Sequence, residues 1–260
     1  MTFETQKFSA CAALALAALM PAGAYAQSEG GDYLKLLSNL AAIATPPDYT
    51  SIQGVSSGGV APRGYAFAGI SGSTTDDTDG GVGDLDGSIT LGAGLGDIGG
   101  ISTQASVNLT STHPSDFADS GSLGLKFGTK IETSDQPISV GLSFSNLGGW
   151  GDSNGTDVTA TLAASSKATR YTANGPISYA WTIGAKSTAG DTSAFAGLAV
   201  GLSEALSVST AYDTGSEAVK LGMGLKVSDV TSVALTANDP FAMGSGEGIT
   251  LTVSFASKLF

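Results

Sequence analysis

The chain has 260 residues, with 11 Lys and Arg against 23 Asp and Glu and a net charge of −12. Clustered cations are what a nucleic-acid ligand needs to neutralise phosphates, so an acidic chain of this kind is a poor one. One histidine and one cysteine exclude a His/Cys metal cluster, and Cys11 lies in the first 26 residues, so the sequence from 27 onward offers neither a disulfide nor a thiolate ligand. Charged residues make up 13% of the chain and glycines number 37, about twice their usual share.

Residues 1–26 read as an export signal. Lys7 stands in a short polar start, Ala10 to Met20 form an apolar core, Pro21 breaks it, and Ala24-Tyr25-Ala26 offers a small-residue cleavage site. The core is shorter than the roughly 18 residues of a membrane anchor. Cys11 opens the apolar core, whereas a lipid-bearing cysteine would follow it. Residues 27–63 come next. Tyr33, Leu34, Leu36, Leu37, Leu40, Ala41, Ile43 and Ala44 have helical spacing and stop at Pro46-Pro47, which predicts one short amphipathic helix. A Gly/Ser-rich passage from Ile52 to Arg63 reads as a linker.

From Gly64 to Phe260 the period changes to two. Twelve segments set apolar residues on one parity and polar residues on the other, as in a strand whose successive side chains face opposite ways. Leu123, Leu125 and Phe127 oppose Ser122 and Lys126; Ile177, Tyr179, Trp181 and Ile183 oppose Ser178, Thr182 and Lys186; Val219, Leu221, Met223 and Leu225 oppose Lys220 and Lys226. The first segment is undecided, because Tyr65 and Phe67 compete with Ala66, Ala68 and Ile70. The eighth, around Ala196 to Leu202, is apolar on both faces. Every lysine inside a segment (126, 130, 186, 220, 226, 258) has the polar parity; on a lipid-facing parity each would cost about 2–4 kcal/mol at mid-bilayer. The aromatic residues Phe127, Phe144, Tyr179, Trp181, Tyr212 and Phe255 share the apolar parity.

A soluble β-sandwich also keeps lysines off its apolar face, so the polar face and the connections must decide. A solvated surface is typically about 25–35% charged, whereas this polar face is mostly Ser, Thr and Gly. Long connections (75–83, 112–119, 148–155, 239–246) alternate with short ones (96–100, 203–205, 228–230), although 167–175 looks long where a short turn is due. Short turns at one end and longer loops at the other, with an even strand count, are the pattern of outer-membrane barrels. The final segment, Leu251 to Phe260, ends on an aromatic residue.

The stretches Asp86-Gly87-Ser88 through Gly94-Leu95-Gly96-Asp97, Asp119-Ser120-Gly121-Ser122-Leu123, Trp150-Gly151-Asp152 and Ala211-Tyr212-Asp213 resemble a group of poorly characterised Gram-negative and cyanobacterial outer-membrane barrels. The resemblance covers most of 64–260. It implies an all-β, antiparallel up-and-down transmembrane barrel of about 12 strands after a short N-terminal helix, in the outer membrane, and it brings no catalytic motif. It also implies recognition of the Phe260 strand by the barrel-assembly machinery.

Three constellations are candidates for chemistry. His113 and Ser115 stand two apart in a loop bent by Pro114, with no third group in the sequence to orient the imidazole as a hydrolase needs. Asp76, Asp77, Asp79 and Asp84 form a dense carboxylate loop that reads as a hydrated acidic rim, or more weakly as a divalent-cation loop bridging to lipopolysaccharide phosphates. No resident metal and no cofactor is implied. Lys126, Lys186, Lys220 and Lys226, with Asp86, Asp157 and Asp213 as available acids, are placed by parity on the lumen; a lysine ring there favours anions, whereas scattered charges that are paired or hydrated, the more common case, select nothing. The sequence therefore supports a narrow passive channel for small polar solutes or ions. A non-conducting structural or surface barrel is the alternative, and an envelope hydrolase ranks behind both. Residues 33–44 would plug the lumen, lie on the inner leaflet or dock a periplasmic partner.

Overall fold

The computed structural model describes residues 52–75, 86–110, 117–133, 136–172, 175–203, 205–241 and 248–259. The chain divides into two units, 1–45 and 46–260, and every described residue belongs to the second. The export signal, the helix expected over 33–44, the acidic loop, His113 with Ser115, and Phe260 lie outside the described residues.

Twelve strands run in chain order: β1 (Tyr65–Thr75), β2 (Asp86–Ile98), β3 (Ile101–Leu109), β4 (Gly121–Ile131), β5 (Ile138–Trp150), β6 (Thr159–Thr172), β7 (Gly175–Thr188), β8 (Asp191–Gly201), β9 (Leu206–Asp213), β10 (Ala218–Lys226), β11 (Thr231–Asn238) and β12 (Gly248–Lys258). Each pairs antiparallel with its sequence neighbours, and β1 pairs with β12 from Tyr65↔Lys258 to Thr75↔Gly248, closing the barrel. Closure matters energetically because no water reaches the bilayer core to satisfy a bare N–H or C=O, so a spanning sheet needs to have no edge.

The period-two pattern sets the two faces. Leu251, Leu235, Met223, Val208, Val200 and Tyr179 are laterally paired neighbours on β12, β11, β10, β9, β8 and β7, and all six are exposed. They form one apolar row around the outside. The two segments whose facing the sequence left open are now resolved by register. Phe67 shares the parity of the buried Ala256 opposite it, and its ring lies where a side chain on Gly92 would be. Ala66, Ala68 and Ile70 face outward. On β8, Phe195 is buried inside over Gly184 while Leu198 and Val200 face out. In both strands a large inner aromatic fills the space left by a glycine on the neighbouring strand.

Turns follow local chemistry. Gly99 and Gly100 have φ of 63° and 86° between β2 and β3, as a two-residue turn with the twist of the strands requires, and the Gly100 N–H donates to Asp97 Oδ1 at 2.7 Å. The stretch 167–175 is no long loop: β6 runs to Thr172 and β7 starts at Gly175, so the connection is short, as at the other turns of that end. Residues 167–172 instead continue β6, paired with β7 in a hairpin that outruns its neighbours. Pairing of β6 with β5 stops at Ile138↔Ser166, and pairing of β7 with β8 stops at Tyr179↔Val200.

Candidate functional site in the barrel lumen

Residues 52–63 are the feature that parity could not reveal. The segment begins β1 from inside the barrel, held at the β2 bulge between Gly94 and Gly96. There the Gly64 N–H donates to the Gly94 carbonyl (3.2 Å) and the Tyr65 N–H to the Pro62 carbonyl (3.1 Å). A Cβ at Gly94 would collide with the carbonyls of Ala61 and Pro62, so this wall position has to be glycine for the segment to lie where it does.

Six hydrogen bonds tie the segment's backbone to six strands. The Ala61 N–H donates to Gln104 Oε1 on β3 (2.9 Å), and Lys126 Nζ on β4 donates to the Ser57 carbonyl (2.7 Å). The Gly58 N–H donates to Ser165 Oγ on β6 (2.9 Å), and Thr182 Oγ1 on β7 donates to the Ser56 carbonyl (2.9 Å). The Gln53 N–H donates to Ser209 Oγ on β9 (3.2 Å), and Lys220 Nζ on β10 donates to the Gly54 carbonyl (2.9 Å). Bonds to six different strands mean that the segment crosses the lumen. Backbone groups buried away from water need such partners, and the wall supplies them from side chains because its own backbone is spent in the sheet.

Packing agrees. Ile52 is 5% exposed and packs with Ala180, Ala199 and Ala211, with Val55 against the same cluster. Val60 occupies the space beside Gly128, Gln53 that beside Gly222, and Ile52 that beside Gly197. Small inner-face residues, which first suggest open room, are here a groove cut for a peptide. Thr182, 1% exposed, lies beneath it.

The lumen lysines do not form a ring. Lys126 and Lys220 hold the inner segment. Lys186 is ion-paired with Asp213, whose side chain is 5% exposed. Lys226 pairs with Asp229 at 2.8 Å at the β10–β11 turn, where its hydrogen bond and charge hold the Asp229 carboxyl below the usual carboxylate range. Lys130 pairs with Glu132 at 3.3 Å. Asp157 was expected on the lumen wall, but β6 starts only at Thr159, and Asp157 is exposed in the preceding connection, its carbonyl accepting from Asn146 Nδ2 (3.3 Å). Asp86 opens β2, and its side chain is outside the described residues.

Towards the end with the longer connections, the inner wall is lined by neutral hydroxyls and amides that pair across strands. Ser71 and Ser88 lie 2.7 Å apart, Thr159 and Thr188 2.7 Å apart, Thr90 donates to Asn108 (2.9 Å), and Asn238 to Thr250 (3.1 Å). Such a surface can offer and accept hydrogen bonds without fixing a charge. Polar parity alone did not mark Gln104, Ser165, Thr182 and Ser209 as contacts of the inner segment; the one available signal was the density of inner-face glycine and alanine opposite a Gly/Ser-rich stretch.

No family model and no curated protein matches the chain. Among solved structures it is similar to a KdgM porin (10% identity, TM-score 0.47, covering 73% of this chain and 98% of that one). It is also similar to the COG4313 outer membrane channel from Pseudomonas putida F1 (9% identity, TM-score 0.49, 76% and 96%) and to the Acinetobacter baumannii outer membrane protein Omp33 (10% identity, TM-score 0.45, 74% and 97%). At such identities and scores no activity passes from them to this chain.

Proposed function

We propose that the chain is a porin-like outer-membrane barrel, a narrow passive channel for small polar solutes whose bore is set by the segment 52–63. The carrying observation is the combination of a hydroxyl-lined lumen with a peptide that crosses it on six wall contacts. The apolar outer row and the closed sheet support a lipid surround. The end bearing the short turns would face the periplasm and the longer connections would face outward, against lipopolysaccharide. Diffusion past the inner segment needs no covalent chemistry, so no catalytic residue is assigned.

The wall contacts also favour a second reading, a barrel that the segment closes completely and that acts structurally. Planar-bilayer recording of purified full-length protein separates the two. The channel reading expects small, discrete conductance steps in the natural sequence. The paired change Lys126→Met with Lys220→Met, which removes both ammonium contacts to the segment, should give larger and noisier steps. Charge-assisted bonds of this kind are each worth about 1.5–3 kcal/mol, enough to loosen the segment without unfolding the sheet. Silence in the natural protein with current in the variant would make the segment a plug. Silence in both, with heat-modifiable gel mobility intact, would remove the channel reading.

A further inference from the structure

We infer that solutes pass along one side of the lumen, beside β11, β12 and β1, through an eyelet lined by Ser56, Gly69, Ser71, Ser232, Thr252 and Ser254 that sorts them by size and not by charge. The path rests on the channel reading and gives it its selecting residues.

The crossing keeps to the wall. From Pro62 back to Ile52 the segment touches every strand from β2 to β10. It lies on Gly94, Gln104 and Gly128 of β2 to β4, then on Ser139 and Ser165 of β5 and β6. Thr182, Gly197, Ser209 and Gly222 of β7 to β10 complete the arc. Inner-face residues under it are closed off: Ala163, Thr182, Ala199 and Ala211 are all buried. The cover ends on β11, where Thr236, paired with Gly222, is still buried. Past that point Ser232, Thr252, Ser254, Gly69 and Ser71 are only half-buried. They are lateral neighbours, Ser254 pairing with Ser232 and Gly69, and Thr252 with Ser71. A Cβ on Gly69 would meet, among the described residues, Ser254 Oγ alone, at 3.9 Å, whereas one on Gly197 or Gly222 would strike the segment.

A twelve-strand barrel has room for such a passage. About eight strands leave an interior that side chains fill, and about 16–18 leave a wide aqueous channel. One extended chain laid against part of the wall therefore narrows the bore from one side. The uncovered side is uncharged: β1 and β11 carry no charged residue, and β12 carries only Lys258, its last. On the covered side Lys126 and Lys220 are held by segment carbonyls and Lys186 by Asp213. Between Ile52 and Pro62 the exposed residues are Gly54 and Ser56, again uncharged. Rings of charged side chains give a pore its preference for one sign, and the eyelet has none.

No cysteine follows Cys11, so single introduced cysteines report on the path. In planar bilayers, full-length Ser254→Cys should lose conductance in steps on treatment with a methanethiosulfonate bearing either a sulfonate or a trimethylammonium group, because a thiol reacts where water and reagent reach it. The zero-current potential in a KCl gradient should then shift toward cations with the sulfonate and toward anions with the ammonium. The natural protein should not respond, nor should Ser207→Cys, whose position on β9 is buried. In reconstituted vesicles both reagents should slow ribose entry through Ser254→Cys alike. Unchanged current and potential in Ser254→Cys, or an equal response in Ser207→Cys, overturns the path; slowing by one reagent alone overturns sorting by size. In a protein that passes no current, labelling of Ser254→Cys but not of Ser207→Cys, read by mass, would keep the open sector and remove the channel. Labelling of neither would remove both.

Discussion

Ala189 has a φ of 53° ahead of Gly190 at 96°, in the two-residue turn between β7 and β8. An alanine in the left-handed region is strained by about 1–2 kcal/mol, a cost that Asn meets more easily because its short amide bonds locally. Ala189→Asn should therefore stabilise the barrel by about 0.5–1 kcal/mol, seen as a higher midpoint in urea unfolding from detergent or vesicles. An unchanged or lower midpoint would mean that the turn is not of this type. At this scale the sequence was legible in one respect and silent in another. Parity placed Lys126, Lys186 and Lys220 off the apolar face, because alternation fixes the side of a strand. It said nothing of how high each stands or what it meets, which depends on register and shear. Hence register, and not parity, decides that two of these lysines meet carbonyls, one Asp213 and one Asp229.

Strand existence was legible because twelve alternating runs each carry their own period, whereas strand length was not. Residues 167–178 join a hairpin whose last four rungs, Thr169↔Ser178 to Thr172↔Gly175, have no partner on β5 or β8. Such rungs gain only each other, and a two-stranded ribbon is marginal on its own. Replacing 169–178 by Asn-Gly, so that Ala168 and Tyr179 flank a tight turn, should leave heat-modifiable mobility and bilayer behaviour as they were. Loss of the folded band would assign the extension a part in assembly. The segment 52–63 illustrates the opposite limit. It has neither a helical nor a strand period, and it binds the wall through its own N–H and C=O groups, which every sequence possesses. Its trace in the sequence is displaced onto the wall, as Gly94, Gly128, Gly197 and Gly222, where a Cβ would strike it.

Across the molecule, the exposed row Tyr179, Val200, Val208, Met223, Leu235 and Leu251 and the polar lumen reverse the usual distribution of a water-soluble protein, whose exterior carries its charge. This inversion makes a direct test of the solvent. Leu235 lies within the row, 38% exposed, between Met223 and Leu251, whereas Thr252 on the adjoining β12 has the inner parity, paired with Ala234 and Ser71. If lipid surrounds the barrel, Leu235→Lys must bring an ammonium into hydrocarbon, at a cost of about 2–4 kcal/mol near the midplane. Thr252→Lys puts the same charge into a polar lumen beside hydroxyls, and should cost less than about 1 kcal/mol, in line with a surface-type substitution. Reversible urea unfolding in phospholipid vesicles measures both. Equal costs, or a stabilised Leu235→Lys protein that stays folded without detergent, would show that water and not lipid meets the outer row. A large difference in the stated direction would identify the membrane as the solvent that the alternation was written for.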